Sequence, residues 1–185
     1  MRHKILLIIL LMLTHFSCKK RIAEPLKFPD ETQEGKNTFA CYVDGKEFIA
    51  VMPAITVYSL HPITANYYTQ AIDFYKAGSL FVQGIDATVE TPADGSIAIQ
   101  KMNLFGTGDF PLSYIDSCTQ PYTCDASFFY NYEVGNYFAQ NGKLTITRLD
   151  TLNKIVAGRF YFTAKDTLGN KIEITNGRFD IKYFN

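Results

Sequence analysis

Residues 155–165 carry a period of two: Val156, Gly158, Phe160, Phe162 and Ala164 fall on one side of an extended chain, and Arg159, Tyr161, Thr163 and Lys165 on the other. A period of two puts one face on a core and the other in water, which a helix of 3.6 residues per turn cannot do with this order. The segment is therefore a strand of an antiparallel sheet with one wet face. Residues 143–149 before it and 171–184 after it are strand-like as well. They are joined to it by Asp150-Thr151-Leu152-Asn153 and Asp166-Thr167-Leu168-Gly169-Asn170, so the C-terminal third is predicted to be a three-stranded antiparallel meander.

The last of these strands changes face along its length. Ile172 and Ile174 occupy even positions, whereas Phe179, Ile181 and Tyr183 occupy odd ones, and Asn176-Gly177 stands where the shift must occur. A G1 bulge, with one extra residue and glycine at positive φ, absorbs a one-residue slip, so Gly177 is expected in the left-handed region. The alternative is a hairpin turning at Asn176-Gly177.

Upstream, residues 37–43 and 47–51 flank Asp44-Gly45-Lys46, a hairpin in which Asp-Gly supplies the positive φ values of a tight turn and Phe39, Cys41 and Val43 share a face. Further strands are expected at 55–60, 66–75, 79–85 and 96–105, separated by His61-Pro62, by Lys76-Ala77-Gly78 and by a Pro- and Gly-bearing stretch at 91–95. Phe and Tyr supply the 15% aromatic content, Trp is absent, and no window shows a helical stripe. The expected fold class is all-β: an antiparallel β-sandwich or partly open barrel ending in the three-stranded meander.

The N-terminus belongs to a different class of sequence. Arg2, His3 and Lys4 precede an unbroken apolar run at 5–13, the charged and hydrophobic regions of a signal peptide. Nine apolar residues fall short of the about 20 that a membrane-spanning helix needs. Ser17-Cys18 resembles the cleavage site of bacterial lipoproteins, where a small residue precedes a cysteine that receives diacylglycerol, although His15 stands where leucine is usual and Phe16 is bulky. The resemblance implies lipid attachment at Cys18 and a place in the outer membrane. Lys19, rather than an aspartate, follows the cysteine, and no acidic run comes after it, which favours the periplasmic leaflet over the cell surface.

Loss of 1–17 takes Arg2 and Lys4 from the 18 basic residues and none of the 18 acidic ones, for a mature charge of about −2. That balance lacks the basic field of a nucleic-acid binder. Residues 18–36 are charged, proline-broken and without period, and are expected to be a lipidated tether. Residues 37–185 are expected to form one β domain.

Three stretches carry a broader resemblance: residues 35–45, the Gly106-Thr107-Gly108-Asp109-Phe110-Pro111-Leu112 segment, and residues 157–162 together with 174–180. They resemble a group of Bacteroidota lipoproteins of unknown function. The likeness implies the same compartment and β architecture, and no activity.

Catalytic and metal chemistry has little to stand on. The mature chain keeps one histidine, His61, beside Pro62 in an expected turn, so a histidine-rich metal site is excluded and a Ser-His-Asp triad would rest on that residue alone. Gly106-Thr107-Gly108 lacks the third glycine of a phosphate loop. The turns at 150–153 and 166–170 are rich enough in oxygen for calcium, but Asp and Asn bonding their own backbone already explains them. No cofactor is expected. Asp73, Asp86, Glu90, Asp109, Asp116, Asp125 and Glu133 offer acids for a hydrolase with paired carboxylates, with nothing in their spacing to pair any two.

The densest aromatic stretch is 127–138, where alternation puts Phe128, Tyr130 and Tyr132 on one side. Tyrosines suit a half-wet binding face, so Tyr130, Tyr132 and Tyr137 are the candidate ligand contacts; their other role would be to fill the core with hydroxyls at its rim. The reading favoured is a non-enzymatic, lipid-anchored envelope protein that binds a glycan, peptide or partner protein. The alternative is an uncharacterised hydrolase.

Three cysteines remain once Cys18 is acylated. Cys41, with Phe39 and Val43 on its face, is expected to be a small buried hydrophobe. Cys118 and Cys124 flank Thr119-Gln120-Pro121-Tyr122-Thr123 in a polar stretch and are expected to form a disulfide in an oxidising envelope, closing the loop for about 2 kcal/mol. Mass spectrometry of a non-reduced digest should recover a peptide containing both, two hydrogens lighter than its reduced form. Cys41 linked to either would overturn the pairing.

Overall fold

The computed structural model describes residues 26–50, 61–70, 77–86, 95–113, 125–130 and 135–184, and for Tyr130 and Gly135 the backbone alone. These residues form β1 (Thr38–Val43), β2 (Lys46–Ile49), β3 (Ile63–Tyr68), β4 (Ser79–Asp86), β5 (Gly95–Lys101), β6 (Gly108–Ser113), β7 (Ala126–Tyr130), β8 (Gly135–Asp150), β9 (Ile155–Lys165) and β10 (Lys171–Lys182). The protein is all-β. One antiparallel sheet runs β2-β1-β10-β9-β8-β7-β5-β4-β3, with β6 paired to β8 beside β7, and curls into a half-barrel. Its far edge meets the C-terminus: Phe184 N donates to Ala65 O (3.0 Å) and Tyr67 N to Phe184 O (3.3 Å).

The predicted meander is present, with its middle strand at the predicted residues and Val156, Gly158, Phe160, Phe162 and Ala164 all buried. The hairpin at Asp44-Gly45 is also present, both residues having positive φ (47° and 78°).

Gly177 departs from expectation. The bulge exists, because β10 pairs Ile174 with Phe162 and Gly177 with Phe160, leaving Thr175 and Asn176 opposite Tyr161. The strand runs through it, so the hairpin alternative is overturned. The residue in the left-handed region, however, is Asn176 (φ 49°), and Gly177 has no positive φ. Asparagine tolerates that region. Gly177 is needed for packing instead, since a Cβ there would lie 2.5 Å from the Phe160 ring.

Other boundaries shift for local reasons. The strand expected at 66–75 begins three residues earlier, at Ile63, and stops at Tyr68, where the chain bends at Thr69 and Gln70; residues 71–75 and the strand expected at 55–60 lie outside the described residues. The strand expected at 96–105 stops at Lys101, two residues before Asn103, whose φ of 58° breaks extension. β6 was not predicted, because Gly106, Gly108 and Pro111 signal a loop. It pairs with β8 alone, and a sheet edge is where proline is tolerated. The strand expected at 143–149 is the lower part of the sixteen-residue β8, whose upper part, with β7, makes a hairpin of the aromatic stretch.

The interior is filled by rings. Phe160 lies 5.2 Å from Phe39, 6.3 Å from Phe179 and 6.4 Å from Phe162, and Phe39 lies edge-on to Phe48 at 6.2 Å. Phe39 also reaches across to Gly84 on β4, where a Cβ would come within 2.3 Å of its ring.

Residues 28–36, part of the expected tether, are seated on the outer face of the sheet. Phe28 stacks on Tyr42 at 4.8 Å with the Arg178 guanidinium 4.7 Å from its ring centroid, Arg178 donates to Pro29 O, Glu31 pairs with Arg159, and Arg148 donates to Gln33 O.

Gly177→Ala is expected to destabilise the protein by about 1–3 kcal/mol through overpacking against Phe160, whereas Asn176→Gly should change stability by less than about 0.5 kcal/mol. Urea denaturation of both variants checks this; equal effects would show that backbone conformation, not ring contact, sets the choice of glycine.

Candidate functional site

The half-barrel has two ends. The upper end carries the turns at 44–45 and 166–170, the close of β4 at Asp86, and the strand ends of β7 and β8 at Tyr130 and Gly135. The lower end carries the turn at 150–154, the C-terminus, and the segments that follow β3 and β5.

Of the three candidate tyrosines, Tyr137 is fully described. It sits on the inner face of β8 near the upper end, opposite Phe128 with ring centroids 6.3 Å apart, half-buried against the core. Burial, then the charges of Asp166 and Asp44, push its hydroxyl above the usual tyrosine range. It therefore stays protonated, a hydrogen-bond donor at the rim beside two acidic turns. Tyr130 pairs through its backbone with Gly95 and Gly135, at the same level. Tyr132 lies outside the described residues. The two roles weighed for these rings meet in Tyr137, whose ring lies on the core and whose edge is wet. Tyr161, half-exposed on the outer face of β9, points away from this rim.

The described carboxylates are engaged by the fold. Asp125 is buried where β5, β6 and β7 meet, accepting from Lys101 Nζ (2.9 Å), Ser113 N (3.0 Å) and Ser113 Oγ (3.2 Å). Asp109, on the outer face, accepts from Thr145 Oγ1 (2.7 Å) and Lys143 Nζ (3.0 Å), which hold its carboxyl below the usual range. Asp86 is buried at the end of β4. Asp73, Glu90, Asp116 and Glu133 lie outside the described residues, as do Cys18, Cys118 and Cys124. His61 is exposed at the start of β3.

The oxygen-rich turns are closed on themselves. Asp150 accepts from Leu152 N, Asn153 N, Asn153 Nδ2 and Arg148, and these bonds, those from Asn153 foremost, hold it far below the usual carboxylate range. Asp166 accepts from Leu168 N, Asn170 N and Asn170 Nδ2. Its partial burial works against ionisation, but these bonds prevail and its pKa is lowered. Among the described residues no three His, Cys, Asp or Glu side chains cluster in a metal-binding arrangement. Cys41 is a buried free thiol whose pKa burial pushes up, so it behaves as a hydrophobe.

Sequence reasoning missed Asp180. It stands on the outer face of β10 between Phe179 and Ile181, and it is buried because the seated N-terminal segment covers it. Its carboxylate accepts from Thr32 Oγ1 (2.6 Å), Glu34 N (2.9 Å), Gly35 N (2.6 Å) and Lys36 N (3.2 Å). An aspartate inside a strand is itself a signal, since strands are depleted in it. No family model, curated protein or solved structure matches this chain.

Burial opposes ionisation of Asp180, yet the four hydrogen bonds outweigh it and its pKa is lowered. Its stabilisation is therefore present above the ordinary carboxylate value of 3.8 and lost as the pH falls through its lower folded value. Asp180→Asn should cost about 2–3 kcal/mol at neutral pH and flatten the loss of stability below about pH 4. Thermal melts across that range, with limited proteolysis of residues 26–36, check it; an unchanged acid limb would remove Asp180 from the argument.

Proposed function

We propose that the protein is a lipid-anchored module of the cell envelope that binds a glycan, peptide or partner protein and performs no chemistry on it. The anchor is the acyl group on Cys18, in the outer membrane and by preference its periplasmic leaflet. The N-terminal sequence supports this part: a cationic start, a short apolar run and Ser17-Cys18.

The observation that carries the binding reading is Tyr137, a half-buried ring on an apolar bed with a protonated hydroxyl at a rim lined by Asp44 and Asp166. A ring with one greasy face and one polar tip recognises pyranose faces and peptide side chains alike, and tyrosines at 130 and 132 precede it in the same stretch of chain. Against hydrolysis stand Asp109 and Asp125, whose oxygens already accept from lysines and hydroxyls of the fold. Oxygens already engaged by the fold in this way are poorly placed to exchange a proton with a ligand.

Labelled polysaccharides should be retained by the mature chain, and Tyr137→Ala should weaken retention at least about tenfold, a change of about 1.4 kcal/mol. Tyr161→Ala, on the outer face, should leave it intact. Equal losses from the two variants would remove the rim as the binding site. Cys18→Ala should abolish incorporation of labelled palmitate; retained label would overturn the anchor.

A further inference from the structure

The lower end of the half-barrel gathers exposed apolar side chains. Leu104 N bonds Gly78 O (2.8 Å) and the Phe105 ring lies over Gly78; Tyr67 Oη donates to Leu104 O (2.8 Å); Tyr183 N bonds Lys154 O (2.9 Å). These contacts draw the segment after β5, the turn after β8 and the C-terminus around one plug, the Tyr67–Tyr183 ring pair at 5.6 Å. Outside the plug stand Met102, Phe105, Leu152 and Phe184, exposed by 40, 70, 89 and 67%. The other exposed large apolar side chains among the described residues are scattered: Leu26 ahead of Phe28, Tyr161 on the outer face of β9, and Leu168 at the upper end. Soluble domains seldom gather large apolar side chains on one surface without covering them.

Among the described charged side chains at this end, those left without an ion partner or a hydrogen bond are cations. Asp125, Asp150 and Asp180 are engaged in the hydrogen bonds described above. Lys154 and Lys182 are exposed and form no ion pair among the described residues. Apolar tips interleaved with free cations fit a phospholipid surface, where rings enter the boundary of the acyl chains and lysines meet phosphate.

The leash permits this. Phe28 is stacked on Tyr42, four residues above Thr38, or about 13 Å along the strand from the lower end. Ten peptide steps separate Cys18 from Phe28 and extend to about 33–36 Å. They also carry Lys19, Lys20 and Arg21. The length would allow either end to face the bilayer, and it is the lower end that carries the apolar tips.

We propose that Met102, Phe105, Leu152 and Phe184, with Lys154 and Lys182, seat the lower end on the phospholipid leaflet that holds the acyl chain. The end carrying Tyr137 then points away from the membrane. This orientation rests on the lipid-anchor reading and deepens it, since it turns a tethered domain into one with a fixed standing position.

The chain contains no tryptophan, so a single introduced one reports alone. Mature, acylated protein carrying F105W, F184W or L152W is reconstituted in vesicles of phosphatidylethanolamine and phosphatidylglycerol with bromine near the headgroup end of the acyl chains. L168W serves as the reference at the opposite end. The first three should lose most of their emission to bromine, L152W without disturbance of packing because it sits in an exposed turn, and L168W should lose none. Unquenched emission at the lower end in protein whose acylation is verified by mass overturns the orientation and leaves the anchor standing. Absence of the acyl group from the wild-type chain overturns both. Equal quenching of L168W, or lower-end tryptophans that become shielded with protein concentration in the absence of vesicles, also overturns it, the latter by making a second copy the occupant.

Discussion

The packing of Phe39 against Phe160 and over Gly84 joins parts of the chain that the sheet alone would leave apart. Phe39 is on β1, Phe160 on β9 and Gly84 on β4, near the opposite edge of the hydrogen-bonded order. An open antiparallel sheet of this width would expose one apolar face to water. Curling it until β1 meets β4 buries that face against itself, and the large rings fill the space the curl encloses. The glycines at 84 and 177 are complements to this filling, because at each a side chain would occupy the volume of a ring. The bulge in β10 follows from the same requirement. Without the extra residue at 175–176, either Ile172 and Ile174 or Phe179 and Ile181 would face water.

The outer face is ordered by a different force. Asp180 is dry because residues 32–36 wrap over it and give it four donors. A buried carboxylate is costly unless its oxygens are bonded, and here the donors are mostly backbone N–H groups of a loop that has no strand partners of its own. Each satisfies the other. The result converts a segment with the composition of a linker into a fixed feature of the sheet, with Phe28, Glu31 and Gln33 as further fastenings. On the proposed lipid anchor, this fastening shortens the free leash to the residues ahead of Phe28.

How much of this was legible follows from which interactions are local. The middle strand of the meander declares itself because the eight residues 158–165 alternate, and the Asp44-Gly45 turn because its backbone geometry demands those residue types. The bulge was legible as a parity conflict, but not which residue would take the left-handed conformation: that depends on the Phe160 ring two strands' worth of chain away, which no local rule contains. β6 was hidden by Pro111, whose acceptability comes from its being on an edge beside β8. The seating of residues 28–36 was hidden for a related reason, since its partners Arg148, Arg159, Arg178 and Asp180 lie more than a hundred positions downstream. Among the candidate site residues, Tyr137 was found by aromatic density. Its particular chemistry, a pKa raised by burial and then by the charges of Asp166 and Asp44, depends on the fold around it.

The distribution of polar groups narrows what recognition can use. Asp109, Asp125, Asp150, Asp166 and Asp180 each close a turn, a strand junction or a cross-strand pair with donors from the chain itself. Groups so engaged hold geometry well and exchange partners poorly, because a ligand would have to replace bonds that are already made at good distance. What remains outward-facing is the Tyr137 hydroxyl at the upper rim, the apolar tips at the lower end, and exposed charged side chains at both, Lys46 and Lys171 above and Lys154 and Lys182 below. Those two surfaces differ in kind: the upper one offers a protonated hydroxyl on a half-buried ring, and the lower one offers exposed hydrocarbon beside Lys154 and Lys182. A hydroxyl on an apolar ring suits the hydrogen-bonding groups of a glycan or peptide, and hydrocarbon beside cations suits a phospholipid surface. On the proposed readings the two partners would use opposite ends of the half-barrel and would not compete for one site.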